Sequence, residues 1–202
     1  MTSQPADNLP AFYMPSELRK LGLRSFGYNV FINRTCVIRG HEKISVGNNV
    51  RIDDFSILAA AGNAGEIVIG DYVHINTRAS LFATSRIVME DFSGLSSNVN
   101  LFTESDDYTG RSMTNPMVPD EYRPKVSRGE IRLCKHVIIG VSSAILPNVS
   151  IGEGTAVGAH SLIVSDCDPW SIYVGSPASK RGRRRKNIKE LEEKLRAEES
   201  DD

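Results

Sequence analysis

The chain has 202 residues, of which 40% are hydrophobic and 24% are charged, and its formal net charge is −1. These values are ordinary for one folded domain and exclude a chain that is disordered throughout. No apolar run reaches the roughly 18 residues of a membrane-spanning helix, and the first residues lack the features of a signal peptide. We therefore expect a cytoplasmic protein that is not integral to a membrane.

The chain before the first repeat predicts an extended arm and then a short helix. Residues 1–15 contain three prolines and few periodic apolar side chains, which favours an arm. Ser16 is a suitable helix cap, Leu18 and Leu21 form an apolar pair at helical spacing, and Gly22 is a stop signal. We expect this helix to close the open end of the structure that follows.

From residue 26 onward, hydrophobic residues recur at every sixth position. The repeat breaks only after every third unit, so inserted loops would all project from the same corner of a triangular coil. Coils of three short strands that stack on one another satisfy each other's backbone groups, as in other solenoids. The period therefore predicts an all-β solenoid with a narrow apolar core. The periodic residues are Leu133, Ile139, Ile145, Ile151, Val157 and Ile163 in the clearest run, preceded by Met89, Leu95, Leu101, by Ile69, Ile75, Leu81, by Val46, Ile52, Leu58, and by Phe26, Ile32, Ile38.

This pattern resembles the hexapeptide-repeat acyltransferases, and the resemblance covers residues 26–180. A second point of similarity is the G-x-P-A segment from Gly175 to Ala178, where sugar O-acetyltransferase chains leave the prism. The resemblance implies a left-handed parallel β-helix with a triangular cross-section. It also implies an acetyl-CoA co-substrate and a homotrimer whose active sites lie between subunits.

The longest interruption, the inserted loop 104–130, is polar and too long for a turn, which favours a functional loop. In the resembled family, a histidine in this loop is the general base. Asp106 stands in the place of that histidine. A free aspartate, with a reference pKa of about 3.9, is a poor base for an alcohol. Either burial under the loop makes Asp106 a better base, or another histidine serves.

His74 is the other candidate base. In the resembled sugar acetyltransferases, the corresponding strand contributes an aromatic residue and an asparagine to the acceptor pocket, and here His74 and Asn76 occupy those places. We hypothesise that His74 and Asp106 meet in one pocket, with the imidazole as base and the carboxylate orienting it. Asn76 would position the acceptor or the oxyanion, and Glu104 and Tyr108 would contact the acceptor. The alternative is that His74 covers a prism corner and the loop is a solvated or subunit-contact surface.

The resemblance also implies where coenzyme A lies, because its pantetheine arm follows the prism edge in this family. A basic run near the end of the coil would then face the phosphates, which we favour over nucleic acid as the partner of these cations. Peripheral association with an anionic membrane surface is a further use of such a run. The implied positions are Gly140, Val141 and Ala159 near the thioester, Val164 further along, and Lys180 and Arg183 near the phosphates.

The tail carries Ile188, Leu191 and Leu195 at helical spacing among charged residues, which predicts an amphipathic helix that docks on the prism or on a partner. His136 and His160 lie at positions that point outward from the coil. The predicted segments are 1–25 for the arm and capping helix, 26–180 for the β-helix, and 181–202 for the basic segment and C-terminal helix.

Together these features predict an acetyl-CoA-dependent O-acetyltransferase of a sugar hydroxyl, in lipopolysaccharide or capsule biosynthesis, with a small-molecule or glycan acceptor. One alternative is a non-catalytic scaffold, which the missing loop histidine would suit. Another is a metal enzyme of the γ-carbonic anhydrase type, which needs three histidine ligands. The four histidines here form no closely spaced pair, and the three cysteines lack metal-type spacing, so we expect no metal and reduced cysteines.

Overall fold

The computed structural model describes residues 11–200, and it is a solenoid of short parallel strands. In chain order the helices are α1 (Pro15–Leu18) and α2 (Ile188–Ser200). The strands are β1 (Ser25–Phe26), β2 (Val30–Ile32), β3 (Val37–Arg39), β4 (Ile44–Val46), β5 (Val50–Ile52), β6 (Ile57–Ala60), β7 (Glu66–Ile69), β8 (His74–Ile75), β9 (Ser80–Ala83), β10 (Arg86–Met89), β11 (Gly94–Leu95), β12 (Asn100–Phe102), β13 (Glu104–Ser105), β14 (Ser127–Arg128), β15 (Ile131–Leu133), β16 (Ile138–Ile139), β17 (Ala144–Ile145), β18 (Val149–Ile151), β19 (Ala156–Val157), β20 (Leu162–Ile163), β21 (Ser171–Gly175) and β22 (Ala178–Arg183).

Three sheets form the three faces of the prism. The first sheet has the order β1-β4-β7-β10-β15-β18, the second β2-β5-β8-β11-β16-β19-β21-β22, and the third β3-β6-β9-β12-β17-β20. Successive strands of the chain therefore fall on successive faces, and each strand pairs with the equivalent strand of the next coil. This arrangement confirms the predicted solenoid.

The core is a set of apolar ladders that run along the prism axis. On the third sheet Leu81 pairs in register with Leu101, and Leu101 with Ile145, and all three side chains are fully buried. The predicted sixfold period is thus the spacing of inward positions. At the last coil, Tyr173 pairs with Val157 and Ile172 with Ala156.

Residues with positive φ turn the corners between faces. At the corner between the first and second sheets, Tyr72, Phe92, His136 and Trp170 all have φ between 53° and 61°. Their rings follow one another along the prism, with centroids 4.7 Å apart for Tyr72–Phe92, 5.1 Å for Phe92–His136 and 6.4 Å for His136–Trp170. We call these four residues the aromatic column. Gly154 lies in the same corner, where an added Cβ would meet the Trp170 ring at 2.5 Å, so only glycine fits.

The N-terminal end agrees with the sequence in outline. The helix α1 begins at Pro15, and its cap is Met14, two residues before the predicted Ser16 cap. Leu18 is buried and joins the core of the first coils. Residues 1–10 of the predicted arm lie outside the described residues.

The inserted loop 104–130 has a short antiparallel ribbon at its base, formed by β13 and β14. Glu104 pairs with Arg128 and Ser105 with Ser127. Between the two strands the loop leaves the prism, and it exposes Tyr108 and Met117 almost completely. The tip of this loop therefore presents apolar side chains away from its own chain.

The C-terminal helix lies on the prism, which is one of its two predicted places. The side chains of Leu191 and Leu195 are exposed, at 61% and 36%, whereas Glu192 is 9% exposed. The helix is held on the aromatic column by ionic and cation–π contacts, so Leu191 and Leu195 do not hold it on its own prism. Arg196, for example, lies over the Phe92 ring at 5.2 Å. His136 is consequently buried under the helix and is not a surface residue.

Candidate functional site

A groove of about 400 Å³ lies on the face of the second sheet, beside the aromatic column. Its floor comes from β8, β11 and β16, and the chain that leads into α2 forms one wall. One rung of the second sheet brings a histidine and an asparagine, His74 and Asn76, to this groove. The lining residues are Tyr72, His74, Asn76, Phe92, Ser93, Gly94, Leu95, Ser96, His136, Val137, Ile138, Arg184 and Ile188.

His74 is held by a carboxylate that the sequence analysis did not find. Its Nε2 lies 2.7 Å from Oδ2 of Asp53, which is on the preceding coil. The other oxygen of Asp53 accepts a hydrogen bond of 2.7 Å from Nε of Arg51. The imidazole is about half exposed, and the Asp53 side chain is almost completely buried. His74 is therefore an oriented histidine at the edge of the groove.

Asn76 also faces the groove, and its side-chain oxygen accepts a hydrogen bond of 2.7 Å from the backbone N–H of Thr77. This contact fixes the orientation of the amide, so that its NH₂ group is the end that remains for a ligand. Ser96 lines the same groove directly after the next strand of the sheet, β11. These groups can orient a polar acceptor over the second sheet.

Asp106 lies in a different part of the chain. It accepts a hydrogen bond of 3.1 Å from the Arg123 guanidinium, which is buried in the inserted loop. Glu104 is 3.7 Å from the same guanidinium and also accepts a hydrogen bond of 2.7 Å from Arg128. Arg123 thus contacts two of the predicted site carboxylates, those of Glu104 and Asp106. Tyr108, the third predicted residue of this loop, is 91% exposed.

His74 and Asp106 do not bond to one another in residues 11–200 of one chain. The histidine lies on the second sheet, and the loop that carries Asp106 leaves the prism after β12 of the third sheet. Their meeting in one pocket therefore stays a prediction.

A charged cluster fastens α2 to the aromatic column. Glu192 accepts contacts of 2.6 Å from Lys135, 2.7 Å from Arg196 and 2.8 Å from Nε2 of His136. Burial works against ionisation of this carboxyl group, but the three donors outweigh it and lower the pKa of Glu192 to about 2. The cluster fixes one wall of the groove, because Arg184 and Ile188 lead directly into the helix.

Acid is expected to release α2 from the column. The pKa of Glu192 is about 2 in the folded protein and 4.5 for a free carboxyl group, so this contribution to stability is complete above pH 4.5 and falls away toward pH 2. Glu192→Gln removes the charge and should cost about 3 kcal/mol of docking free energy. Fluorescence quenching of Trp170, the single tryptophan, reports the release, because Lys186 and Lys189 lie over its ring.

The matched control is Glu190→Gln, which removes a carboxylate from the exposed side of the same helix. The control should keep the wild-type acid transition. If Glu192→Gln and wild type show the same quenching at every pH, the cluster does not hold the helix.

Comparisons with known proteins decide the family. The chain is 39% identical over 176 residues to a dTDP-4-amino-4,6-dideoxy-D-glucose acyltransferase of Escherichia coli, and the match covers 87% of this chain and 90% of that protein. It also superposes on AntD, an N-acyltransferase from Bacillus cereus solved with dTDP and 3-hydroxybutyryl-CoA, with a TM-score of 0.90 and 41% identity over 95% of this chain and all of that one. The chain belongs to the hexapeptide-repeat sugar acyltransferases. Its solenoid is accordingly the left-handed parallel β-helix that the sequence predicted.

More distant relatives carry less weight. A putative lipopolysaccharide biosynthesis O-acetyl transferase of Escherichia coli K12 is 26% identical over 157 residues, which are 71% of this chain and 73% of that protein. A maltose O-acetyltransferase from Clostridium difficile matches with a TM-score of 0.56 and 16% identity, over 85% of this chain and 74% of that one. At this identity the match shows the fold alone. No protein-family model matches the chain.

As a hexapeptide-repeat acyltransferase, the chain has its predicted coenzyme A positions along one prism edge and at the end of the coil. Gly140 packs closely on the next coil, where an added Cβ would meet the backbone N of Ala159 at 2.6 Å. Val141 is exposed at this edge, between the second and third sheets, and Val164 is exposed just after β20 of the third sheet. Lys180 is bonded to Asp168 at 2.9 Å. Arg183 is exposed at the end of β22.

The structure shows two further facts that bear on function. No group of three His, Cys, Asp or Glu side chains among the described residues could hold a metal ion. Within the same residues, no helix combines the length and the apolar character that crossing a membrane requires.

Sequence reasoning missed Asp53, Arg51 and Arg123. Asp53 and Arg51 lie on the coil before His74, more than 20 residues earlier in the chain, and no local motif joins them. The signal that could have found them is register, because outward residues at the same position of neighbouring coils are adjacent, as Arg51 and His74 are. Arg123 sits in a loop without any repeat and gave no such signal.

Proposed function

We propose that this acyltransferase moves an acyl group from a coenzyme A thioester to the amino group of a dTDP-linked 4-amino-4,6-dideoxy sugar. The observation that carries the proposal is the similarity over nearly the whole chain to two N-acyltransferases at about 40% identity. The O-acetyltransferases are far more distant. Acetylation of a sugar hydroxyl, the sequence-based prediction, is the second candidate.

Asp106 supports an amine acceptor. A hydroxyl must lose its proton as it attacks the thioester carbonyl, which demands a good base. A neutral amine attacks with its lone pair and becomes acidic only once the C–N bond has formed. The proton can therefore leave late, and no strong base is needed in the loop. Replacing the family's loop histidine by an aspartate that only holds the acceptor is thus better tolerated in N-acylation than in O-acylation.

The proposed reaction balances without a covalent enzyme intermediate. The amine nitrogen forms a bond to the carbonyl carbon, the C–S bond breaks, and coenzyme A leaves as a thiolate. The proton from nitrogen passes to His74, and Asp106 of a neighbouring subunit holds the amine in place. Asn76 donates to the developing oxyanion, and Glu104 and Tyr108 of the loop contact the sugar nucleotide.

Variants of the Bacillus cereus enzyme support the placement of Asp106 in the active site. Its solved structures include variants that replace one serine and one aspartate, and those two positions are ten residues apart in that enzyme. In the present chain only two Ser–Asp pairs have this spacing, Ser96 with Asp106 and Ser97 with Asp107. Ser96 lines the groove, and Asp106 is the residue in the histidine's place.

The assembly and the donor site follow from the family as proposals. We place three subunits around a common threefold axis, with the inserted loop of one reaching the groove of the next. Coenzyme A lies along the edge of Gly140, Val141 and Ala159, and its phosphates lie near Lys180 and Arg183. Because the donor is a cytoplasmic metabolite, we place the reaction in the cytoplasm, in the supply of acylated sugars for surface glycans.

The test is a competition between two acceptors that differ in one group. The purified protein is incubated with acetyl-CoA or 3-hydroxybutyryl-CoA and either dTDP-4-amino-4,6-dideoxyglucose or the dTDP sugar with a hydroxyl at C4. Mass spectrometry should show an acylated product from the amino sugar only. Acylation of the hydroxyl sugar at an equal or higher rate would favour the second candidate, and failure to bind any acyl-CoA would favour a scaffold.

A further inference from the structure

The strongest unassigned feature is the chain of contacts that runs from Arg51 through Asp53 to His74. Both oxygens of the buried Asp53 carboxylate are used, Oδ1 by Arg51 and Oδ2 by His74, each at 2.7 Å. Arg51 and His74 are register partners on β5 and β8, so the second sheet itself sets this spacing. The Arg51 guanidinium lies 5.2 Å from the Phe12 ring, which further restricts it.

This geometry fixes the position of the proton on the imidazole. An ionised carboxylate only accepts hydrogen bonds, so Nε2 of His74 must carry the hydrogen that it shares with Asp53. In a neutral ring the other nitrogen, Nδ1, then has a free lone pair. Nδ1 has no protein partner among residues 11–200, and His74 lines the groove. A base is therefore available to a ligand in the groove.

We infer that Asp53 is the positioning residue of the active site, which holds His74 with its proton on Nε2 and its Nδ1 ready to accept the proton of the acceptor. This inference rests on the proposed function, in which His74 takes that proton. It assigns to Asp53 the orienting role that the sequence analysis gave to Asp106. When the proton arrives on Nδ1, the ring becomes an imidazolium, and the carboxylate beside Nε2 balances its charge.

Asp53→Asn should reverse the tautomer without changing the shape of the site. Arg51 is always a donor, so the single oxygen of the new amide must face Arg51. The NH₂ group must then face Nε2 of His74, which has to become the acceptor. The proton moves to Nδ1, and the lone pair that served the acceptor is lost. We expect kcat to fall on the order of 10²- to 10⁴-fold, the usual contribution of a general base, with little change in KM.

A second substitution provides a rescue that a structural role would not give. In Arg51→Met/Asp53→Asn the amide is free to rotate and to present its oxygen to Nε2 of His74. We expect the double variant to be more active than Asp53→Asn alone, by roughly tenfold or more. Arg51→Met by itself should cost less than tenfold, since Asp53 still accepts from His74. A further loss in the double variant would overturn the inference.

The tautomer can be observed without any acceptor. Two-bond ¹H–¹⁵N correlations of ¹⁵N-histidine-labelled protein should show the hydrogen of His74 on Nε2 in wild type and on Nδ1 in Asp53→Asn. His74→Gln assigns the signal among the four histidines. The matched control is Asp54→Asn, the neighbouring carboxylate, whose side chain makes no hydrogen bond within the described part of the chain. It should keep both the tautomer and kcat.

The results distinguish a failure of the proposed function from a failure of the role of Asp53. If His74→Gln remains active, His74 is not the base and that part of the proposed function fails. If His74→Gln is inactive while Asp53→Asn keeps wild-type kcat and tautomer, only the positioning role of Asp53 fails.

Discussion

Mixed trimers of His74→Gln and Asp106→Asn subunits are expected to regain about one third of wild-type activity, although each variant alone loses activity on the order of 10²- to 10⁴-fold. The reason is that the proposed site joins the two residues across a subunit interface. His74 is bonded to Asp53 on the second sheet, and Asp106 is bonded to Arg123 in the loop beyond the third sheet. In a ring of three subunits, each mixed trimer then has one site in which an intact His74 faces an intact Asp106.

The experiment uses two differently tagged subunits that are expressed together, with activity on the amino sugar nucleotide as the readout. Mixtures made after folding, without exchange of subunits, give the baseline. Asp120→Asn is the control for Asp106→Asn. The Asp120 carboxylate also faces Arg123, at 3.7 Å, but its side chain is 94% exposed. Activity should survive in that control. Mixed trimers as inactive as the parents would place both residues in one subunit or remove one of them from the site.

The fold was predictable because one physical rule repeats along the chain. Each strand has one inward position, and a solenoid places these positions six residues apart. Core residues such as Leu81, Leu101 and Ile145 can therefore be identified from the sequence without any knowledge of the loops. The loop 104–130 was equally visible, as a break in the period. What the period cannot give is the packing between segments that lie outside the repeat.

The site was only partly predictable for the same reason. His74 and Asn76 belong to a rung and could be located from their place in the repeat. Asp53 looks like an ordinary corner aspartate in the sequence, and its role depends on the register of two coils. The contact made by Glu192 was also not predictable, because the hydrophobic pattern of α2 drew attention to Leu191 and Leu195 instead. The aromatic column is built from four separate coils, and it packs against the charged side chains of α2. No local sequence pattern predicts this contact.

Leu101→Ala is expected to destabilise the protein by about 2–5 kcal/mol, the usual cost of a cavity left by a buried leucine. Leu101 is fully buried between Leu81 and Ile145 in the third sheet. The prism interior is narrow, and β-strands above and below hold the backbone, so the neighbours have little freedom to fill the space. The inserted loop begins three residues further on, at β13. The loss should therefore appear both in the free energy of unfolding and in increased proteolysis of the loop.

Asn100→Ala is the matched control, since it changes the adjacent outward residue, whose side chain bonds only to the carbonyl of Asn98 within residues 11–200. It should cost less than about 1 kcal/mol. Both variants are compared with wild type at equal protein concentration, because assembly of subunits adds to apparent stability. A similar small loss in both would mean that the third sheet tolerates a cavity and that stacking of the coils, more than filling of the core, holds the loop in place. A large loss in Leu101→Ala alone, with early cleavage between residues 104 and 130, ties the position of Asp106 to the packing of the rung that precedes it.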